Sequence, residues 1–498
     1  MTVGGPVIHR FTHECAYIAG RMPALRSLVR RVLVTIRDAR PRSVLLAAWL
    51  VLFIYAYPGQ MTTDSFDQLA EARSGVFTDA HPPTVSLVWK LTEYVIAGGF
   101  GMLIVQSAAF LLGVYAILRH TLAPRRAAWI AALVFVFPPV FLPFAAIWKD
   151  SVMAGFMVLG VAGLLDERRG IKLAGLAALV IATAVRYNAF AATFPLILGI
   201  FEWRPAMHWA RRYALAAGAW AGVTLAAFSL NTALTDREMH FWHSSLAVYD
   251  IIGTLAKLDR DLPDDELERT FAGTGLLVHD HIHARARALF SPRDFLPIIT
   301  AERNRFWDLP AYGSVVVPEP RRDAIARAWK DIVASHPGAY LRYRLAVMAE
   351  VLCFTRPRPS GVVPRRDFKV VEFAWAQSVP TSTSPVQHRL TYWMSSLWKV
   401  LPIYVPWMYA VLGLVVAGLA LAMGSLDVAA LCASGLVMEA TLLFLAPSPD
   451  YRYSHWLVVS VCLAIAVITV RRARATPHGS PPKVRSTDLA VGEAGGHA

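Results

Sequence analysis

The stretch SVLLAAWLVLFIYAYPGQMTTD, residues 43–64, joins an uncharged apolar block to a polar loop that reaches an aspartate. Blocks of this kind recur along the 498 residues, of which 56% are hydrophobic and 17% charged. A soluble protein usually carries about 25% charged residues. Because the apolar residues are continuous rather than spaced as on an amphipathic helix, the sequence predicts an all-α polytopic membrane protein.

About ten apolar blocks are interpreted as transmembrane helices, although several are short for a hydrocarbon layer about 30 Å thick. Their approximate bounds are 43–57, 99–118, 127–144, 151–165, 171–185, 189–202, 213–234, 397–420, 425–446 and 455–470. The short blocks are expected to extend into flanking residues or to lie where the bilayer thins. Segment 84–97 carries Lys90 and Glu93, and it is predicted to be an amphipathic helix in the outer interface.

Arginine clusters precede the first block and follow the second, fourth, sixth and last blocks. Because cytoplasmic loops are enriched in Lys and Arg, both termini are predicted to be cytoplasmic, in the cell (inner or plasma) membrane. The predicted divisions are a cytoplasmic N-terminal segment 1–42, a transmembrane module 43–234 with a first outside loop 58–98, an extracytoplasmic domain 235–396, C-terminal transmembrane helices 397–470 and a cytoplasmic tail 471–498.

The formal charge of +14 lies mainly in those arginine clusters, so we expect no nucleic-acid partner. The four cysteines show no CxxC spacing, and neither a disulfide framework nor a zinc site is expected.

The outside domain is predicted to be mainly helical. Its two most regular helices are 322–335 and 338–353, separated by His336-Pro337. The Pro-rich segment 356–385 is expected to be irregular, and residues 475–498 are predicted to form a disordered tail.

Polar clusters interrupt the apolar pattern, and all of them fall on the predicted outer side. The first outside loop contains Asp64 just above the bilayer, then Asp79 and His81. A carboxylate there could act as a general base, and the three side chains together could hold a hard divalent cation such as Mg or Mn. The structural alternative is that Asp64 and Ser65 cap a loop helix and that His81 belongs to a turn.

Three further clusters lie between apolar blocks. Lys149-Asp150 could be an interfacial anchor with Asp150 as a helix N-cap, yet a Lys there opposes the charge asymmetry. Arg186-Tyr187-Asn188 holds an arginine that could snorkel or bind phosphate. Asp450-Tyr451-Arg452-Tyr453 could be a polar turn. Charged groups are costly beside hydrocarbon, so their agreement on one face favours a site.

The order of these features resembles the GT-C superfamily of multi-span glycosyltransferases, especially its bacterial members. The resemblance rests on one span, an outside loop with Asp64-Ser65 and then Asp79-x-His81-Pro-Pro, an interfacial helix, Lys149-Asp150, Arg186-x-Asn188, a large outside region and Asp450-x-Arg452-Tyr453. It covers about 43–234 and 397–470, with a weaker similarity at 336–341.

The resemblance implies an enzyme that moves a sugar from a polyprenyl-phosphate donor to a glycan, lipid or protein acceptor on the extracytoplasmic face. In an inverting transfer, Asp64 would be the catalytic base, and Lys149, Arg186 and Arg452 would hold the donor phosphate. Asp79 and His81 would belong to the acceptor loop or a metal site. The supporting residues would be Ser65, Asp150, Asn188, Asp450 and Tyr453.

Two other classes of protein fit the same pattern. A transporter or flippase of an anionic lipid or solute would place its charges on broken helices at mid-bilayer. A non-catalytic cell-envelope scaffold would use the outside region to bind wall components. Convergence of Asp64, Arg186 and Arg452 on one cavity would favour the enzyme.

Overall fold

The computed structural model describes residues 38–278, 281–299, 306, 308, 316–355, 359 and 384–475. The described part is helical, and its only β contacts are two isolated bridges, Gln60 to Ala146 and Thr78 to Arg237. Most of the predicted irregular segment 356–385 and the predicted tail beyond residue 475 lie outside the described residues.

The α-helices number twenty-one in the described ranges. They are α1 (Pro41–Ala56), α2 (Thr63–Ser74), α3 (Pro83–Glu93), α4 (Gly99–Arg119), α5 (Pro124–Val136), α6 (Pro138–Ala145), α7 (Lys149–Leu165), α8 (Arg169–Ala184), α9 (Ala189–Ile200), α10 (Trp209–Leu234), α11 (Phe241–Ser244), α12 (Leu246–Ala256), α13 (Asp264–Phe271), α14 (Ile282–Leu289), α15 (Leu296–Ile299), α16 (Glu319–Ser335), α17 (Pro337–Val351), α18 (Pro385–Val400), α19 (Pro406–Ala422), α20 (Leu426–Leu445) and α21 (His455–Ala475). Short 3-10 helices span Pro402–Tyr404 and Tyr451–Ser454.

Four helical segments of the described chain are long and apolar enough to cross a membrane: α4, α10, α20, and α21 with the 3-10 turn before it. The bent pair of α5 and α6 makes a fifth if it counts as one span. The prediction of about ten spans is therefore not confirmed. The remaining apolar helices are shorter, for example 12 residues in α9 and 17 in α19. At 1.5 Å per residue such helices cover about 18–26 Å, less than the hydrocarbon layer.

Prolines account for two places where a predicted span is divided. Block 127–144 is split into α5 and α6, which meet at 69°. Pro138 holds Phe137 in an extended conformation and ends α5 there. Block 397–420 is likewise divided, because α18 ends at Val400 and α19 begins at Pro406.

The long helices pack into one bundle with a continuous apolar core. Within it α7 packs against α4 and α8, and α20 packs against α9, α19 and α21. Gly163 and Gly175 allow the close approach of α7 to α8, since a Cβ on Gly163 would lie 2.5 Å from the Gly175 Cα. Residues of the first and last helices share this apolar core, so both ends of the bundle belong to one packed unit.

Helices α12 to α17 build a second core, in the region predicted as the outside domain. The predicted helices 322–335 and 338–353 are confirmed as α16 and α17, with the break at His336. Arg344 of α17 pairs with Asp250, which also accepts a hydrogen bond from Tyr343 Oη at 2.6 Å. Arg344 Nη1 donates to the Ala446 carbonyl at 3.2 Å, so this core is joined to the end of α20.

Candidate functional site

The loop after α1 and the loop before α7 are joined through their backbones. Gln60 N donates to the Ala145 carbonyl at 3.1 Å, and Ile147 N donates to the Gln60 carbonyl at 2.8 Å. The Gln106 amide of α4 donates to the Ala146 carbonyl at 2.9 Å. These bonds place the start of α2 beside the start of α7.

The start of α2 is fixed by a capping box and by contacts to the loop before α7. Thr62 N donates to Ser65 Oγ at 3.0 Å, and Ser65 Oγ donates to the Ile147 carbonyl at 2.7 Å. Trp148 Nε1 donates to Thr62 Oγ1 at 3.1 Å. Ser65 is thus part of the cap, whereas Asp64 lies in the first helical turn and is not the N-cap residue.

Asp64 meets Arg452, which lies in the 3-10 turn that precedes α21. Arg452 Nη1 donates to Asp64 Oδ2 at 2.7 Å, and the two side chains are 13% and 29% exposed. The guanidinium lies 5.5 Å from the ring of Trp148 and 5.3 Å from that of Tyr453. The first polar loop and the last helix therefore meet at a partly open ion pair.

Lys149 and His81 adjoin this pair. Lys149 Nζ lies 3.4 Å from His81 Nδ1, and both act electrostatically on Asp64. Burial, together with the charge of Lys149, lowers the pKa of His81 to about 4, so the imidazole is neutral near pH 7. We call Asp64, His81, Lys149 and Arg452 the paired centre. It carries two cations and one anion, and its two cations suit an anionic ligand.

The same contacts set the basicity of Asp64. Burial alone would raise the pKa of its carboxyl group, but Arg452, His81 and Lys149 together hold that pKa well below its usual range. A carboxylate held in this way stays ionised near pH 7 and is a weak proton acceptor.

Arg186 lies behind the paired centre rather than in its open part. It is 7% exposed and pairs with Asp150, which is fully buried. Arg186 Nε also donates to Asn188 Oδ1 at 2.9 Å, and its guanidinium lies 5.1 Å from the Tyr453 ring. Through Tyr453 it supports the turn that presents Arg452.

The supporting residues predicted beside Arg186 have structural partners. Asn188 Nδ2 donates to Thr441 Oγ1 at 2.7 Å and joins the start of α9 to α20. The expectation that Asp150 caps α7 is wrong, because Trp148 is the N-cap residue and Asp150 lies in the first turn. Asp450 Oδ2 lies 3.6 Å from Arg452 Nε, at the edge of the paired centre.

Asp79 faces another part of the chain. Its carboxylate accepts hydrogen bonds from the backbone N–H groups of Met239 and His240, beyond the end of α10. In the described ranges no three His, Cys, Asp or Glu side chains are grouped as metal ligands. Asp64, Asp79 and His81 therefore do not form the Mg or Mn site considered from the sequence.

A polar stripe on α2 was not singled out by the sequence analysis. Asp64, Asp67, Gln68 and Glu71 follow the spacing i, i+3, i+4 and i+7, which places them on one helix face. Glu71 accepts from Thr78 Oγ1 and from Ser86 Oγ, both at 2.6 Å. Asp67 has no hydrogen bond or ion pair to any residue that the structure describes. The spacing alone could have revealed the stripe.

Glu439 is a second residue that the sequence analysis missed. It is 3% exposed on α20, within a candidate span, and it accepts a hydrogen bond from Ser454 Oγ at 2.8 Å. Ser454 belongs to the same turn as Arg452. A carboxylate inside an apolar block was the available signal, because such residues are costly and commonly functional.

No family model matches this chain, and no curated protein or solved structure matches it. The geometry of the paired centre is therefore the basis for a function.

Proposed function

We propose that this chain is a membrane glycosyltransferase that moves a sugar from a polyprenyl-phosphate donor to an acceptor on the extracytoplasmic face, with inversion. The observation that supports this most strongly is the 2.7 Å pair of Arg452 and Asp64, beside Lys149. It puts two cations and a carboxylate at one end of an apolar bundle, where the phosphate of a membrane-held donor would lie.

The two cations suit the phosphate of the donor. Arg452 offers a planar fork for phosphate oxygens, and Lys149 offers a compact charge. Negative charge grows on the leaving phosphate as the glycosyl bond breaks, so fixed cations stabilise the transition state more than the ground state. Arg186 holds Tyr453, and its role is to fix the turn of Arg452.

Apolar side chains on neighbouring elements suit the polyprenyl chain. Tyr57 follows α1 and is 56% exposed, and Leu91 on α3 is 58% exposed. Tyr94 and Val95, just after α3, are 77% and 83% exposed. Exposed aromatic and aliphatic groups beside a short helix are typical of an interfacial element. They would place the lipid next to the paired centre.

The acceptor can be a glycan, a lipid or a protein, and its hydroxyl needs a proton acceptor on α2. Asp64 is the residue that the resemblance to the GT-C superfamily assigns to this role. Because Asp64 pairs with Arg452, it is equally suited to a second role, which is to hold the phosphate-binding guanidinium in position.

Comparative glycan and lipid analysis of a deletion strain tests the proposal. Loss of the protein should deplete one sugar from a glycan, lipid or protein and should raise the level of one polyprenyl-phosphate sugar. The wild-type gene should reverse both changes, whereas Arg452→Ala should not, at equal protein level. Arg269→Ala, which removes an exposed pair on α13, is the matched control and should complement fully. Unchanged glycans and donor pools in the deletion strain would exclude the proposed reaction.

A second candidate is a transporter or flippase of an anionic lipid or solute. Glu439, Arg186 and Asp150 are buried among apolar helices, and ionisable groups there commonly mark transport paths. Vesicles containing the purified protein separate the two functions. Movement of an unmodified polyprenyl-phosphate sugar across the bilayer would favour transport, and release of free polyprenyl phosphate would favour sugar transfer.

A further inference from the structure

We propose that Asp67, rather than Asp64, takes the proton of the acceptor hydroxyl, and that the neighbouring Gln68 amide binds the acceptor. This inference rests on the proposed glycosyl transfer and assigns the acceptor side of that site.

The three carboxylates of the stripe differ in their surroundings. Asp64 is held by Arg452 at 2.7 Å, and Glu71 accepts hydrogen bonds from Thr78 and Ser86. Asp67 lies between them, one helical turn from each, and no donor among the described residues reaches it. It is therefore the carboxylate of the stripe that neither pairs with a cation nor accepts a hydrogen bond from a described residue, so both of its oxygens are available to a hydroxyl.

Gln68 is an independent observation at the same place. It is 1% exposed, and in the described structure neither its Oε1 nor its Nε2 has a hydrogen-bond partner. A buried amide without partners is destabilising, so such a group in a protein calls for an explanation, such as a ligand or a water that satisfies it. Gln68 is four residues after Asp64 and next to Asp67. A polyhydroxylated acceptor would satisfy both its donor and its acceptor atoms.

The proposed step balances in atoms and electrons. The acceptor oxygen forms a bond to the anomeric carbon while the bond from that carbon to the phosphate oxygen breaks. The electron pair of the broken bond stays on the phosphate, which Arg452 and Lys149 bind. The hydroxyl proton passes to an Asp67 carboxylate oxygen and later to solvent. Asp64 remains ionised throughout and orients Arg452.

The charges around Asp67 suit it to this role. Burial, and then the charges of Asp64 and Glu71, raise the pKa of Asp67 to about 6. A general base is most effective when its pKa lies near the pH at which the enzyme works. The cations on adjacent elements interact with groups other than Asp67. Lys149 and Arg452 act on Asp64, and His81 beside them has a pKa of about 4. On the facing helix, Lys90 lies over Phe77, and Glu93 pairs with Arg73 at the far end of α2.

The test uses the full chain in nanodiscs, with deletion-strain membranes as the source of acceptor. The probes are polyprenyl phosphates that carry labelled glucose, mannose, galactose or arabinose. For Asp67→Asn we expect kcat to fall by about 10²–10⁴-fold with the donor KM unchanged. Wild-type turnover should rise about tenfold per pH unit up to about pH 6, and this limb should disappear in Asp67→Asn. Asp67→Glu should restore part of the rate.

Two further variants separate the neighbours of Asp67. Asp64→Asn should raise the donor KM, because it releases Arg452. It should keep the acid limb but move it to lower pH, because the base remains while one charge that raises the pKa of Asp67 is lost. Gln68→Leu should raise the thermal unfolding midpoint, since it removes an unsatisfied amide. It should also weaken acceptor binding, so that more of the acceptor-containing membrane is needed for the half-maximal rate. Asp265→Asn on α13, 74% exposed, is the matched control and should be unchanged.

The outcomes distinguish this inference from the proposed function. If Asp67→Asn keeps the wild-type kcat and the acid limb of the pH profile while Asp64→Asn is inactive, Asp64 is the base and not Asp67. The proposed glycosyl transfer would be unaffected by that result. A Gln68→Leu variant with unchanged acceptor dependence would remove the amide from the site. If the wild-type protein transfers none of the four sugars, the proposed function fails and the assignment of Asp67 fails with it.

Discussion

Arg186 and Arg452 are both lone cations of short loops, yet the structure gives them different surroundings. Asp150, the partner of Arg186, is fully buried, whereas the side chain of Asp64, the partner of Arg452, is 29% exposed. Removing one member of a buried ion pair leaves the other charge buried and uncompensated. In a partly exposed pair, water can solvate the charge that remains. The sequence assigned both arginines the same role because it shows spacing and charge but not burial.

Arg186→Leu should therefore act mainly on stability. We expect a loss of about 3–5 kcal/mol, because Asp150 would remain buried without its partner. Replacing both residues, with Arg186→Leu and Asp150→Leu, should recover most of the loss. The measurement is the thermal unfolding midpoint of the detergent-solubilised protein. An Arg186→Leu protein as stable as the wild type would show that the pair does not support the bundle.

At the scale of single elements, the contact between α7 and α8 depends on two glycines that face each other. A Cβ on Gly163 would lie 2.5 Å from the Gly175 Cα and 2.9 Å from its backbone nitrogen, so a side chain there would push the helix backbones apart. Because α7 begins at Lys149, a shift of this helix would also move one cation of the paired centre.

Gly163→Ala should lower stability by about 1–3 kcal/mol through overpacking. It should also reduce turnover, since Lys149 would be displaced. Gly218→Ala in α10 is the matched control, because nothing lies within 4 Å of a Cβ there. That control should be neutral or slightly stabilising, since alanine favours helix over glycine by about 1 kcal/mol. Thermal unfolding of both variants checks the prediction, and equal midpoints would contradict the close approach of the two helices.

Sequence periodicity predicted well where helices lie, and poorly where an apolar block is divided into two helices. The break at His336-Pro337 was predicted, and α16 and α17 flank it as expected. The bend at Pro138 was missed because apolar residues continue on both sides of it. Asp67 and Gln68 were also missed. Their meaning depends on what the other groups of α2 already bind, and only tertiary contacts such as Arg452 to Asp64 show that.

At the scale of the whole molecule, the site requires that its loops share one side of the membrane. The arginine clusters predict that residue 125 lies inside and residue 260 outside. On a background without Cys15, Cys353, Cys432 and Cys462, a single cysteine at position 260 should react with an impermeant maleimide in intact cells. A cysteine at 125 should react only after permeabilisation. The reverse pattern would invert the topology and place the paired centre in the cytoplasm.

Asp64 and Arg452 lie 388 residues apart in the chain. A ribosome adds about 5–20 residues per second, so roughly 20–80 seconds separate the synthesis of the two side chains. Throughout that interval the nascent protein lacks Arg452, one of the two cations that would bind a donor phosphate in the proposed reaction. An unfinished chain would therefore be inert toward the lipid-linked sugars around it, and competence would arise only when the final helix enters the bundle.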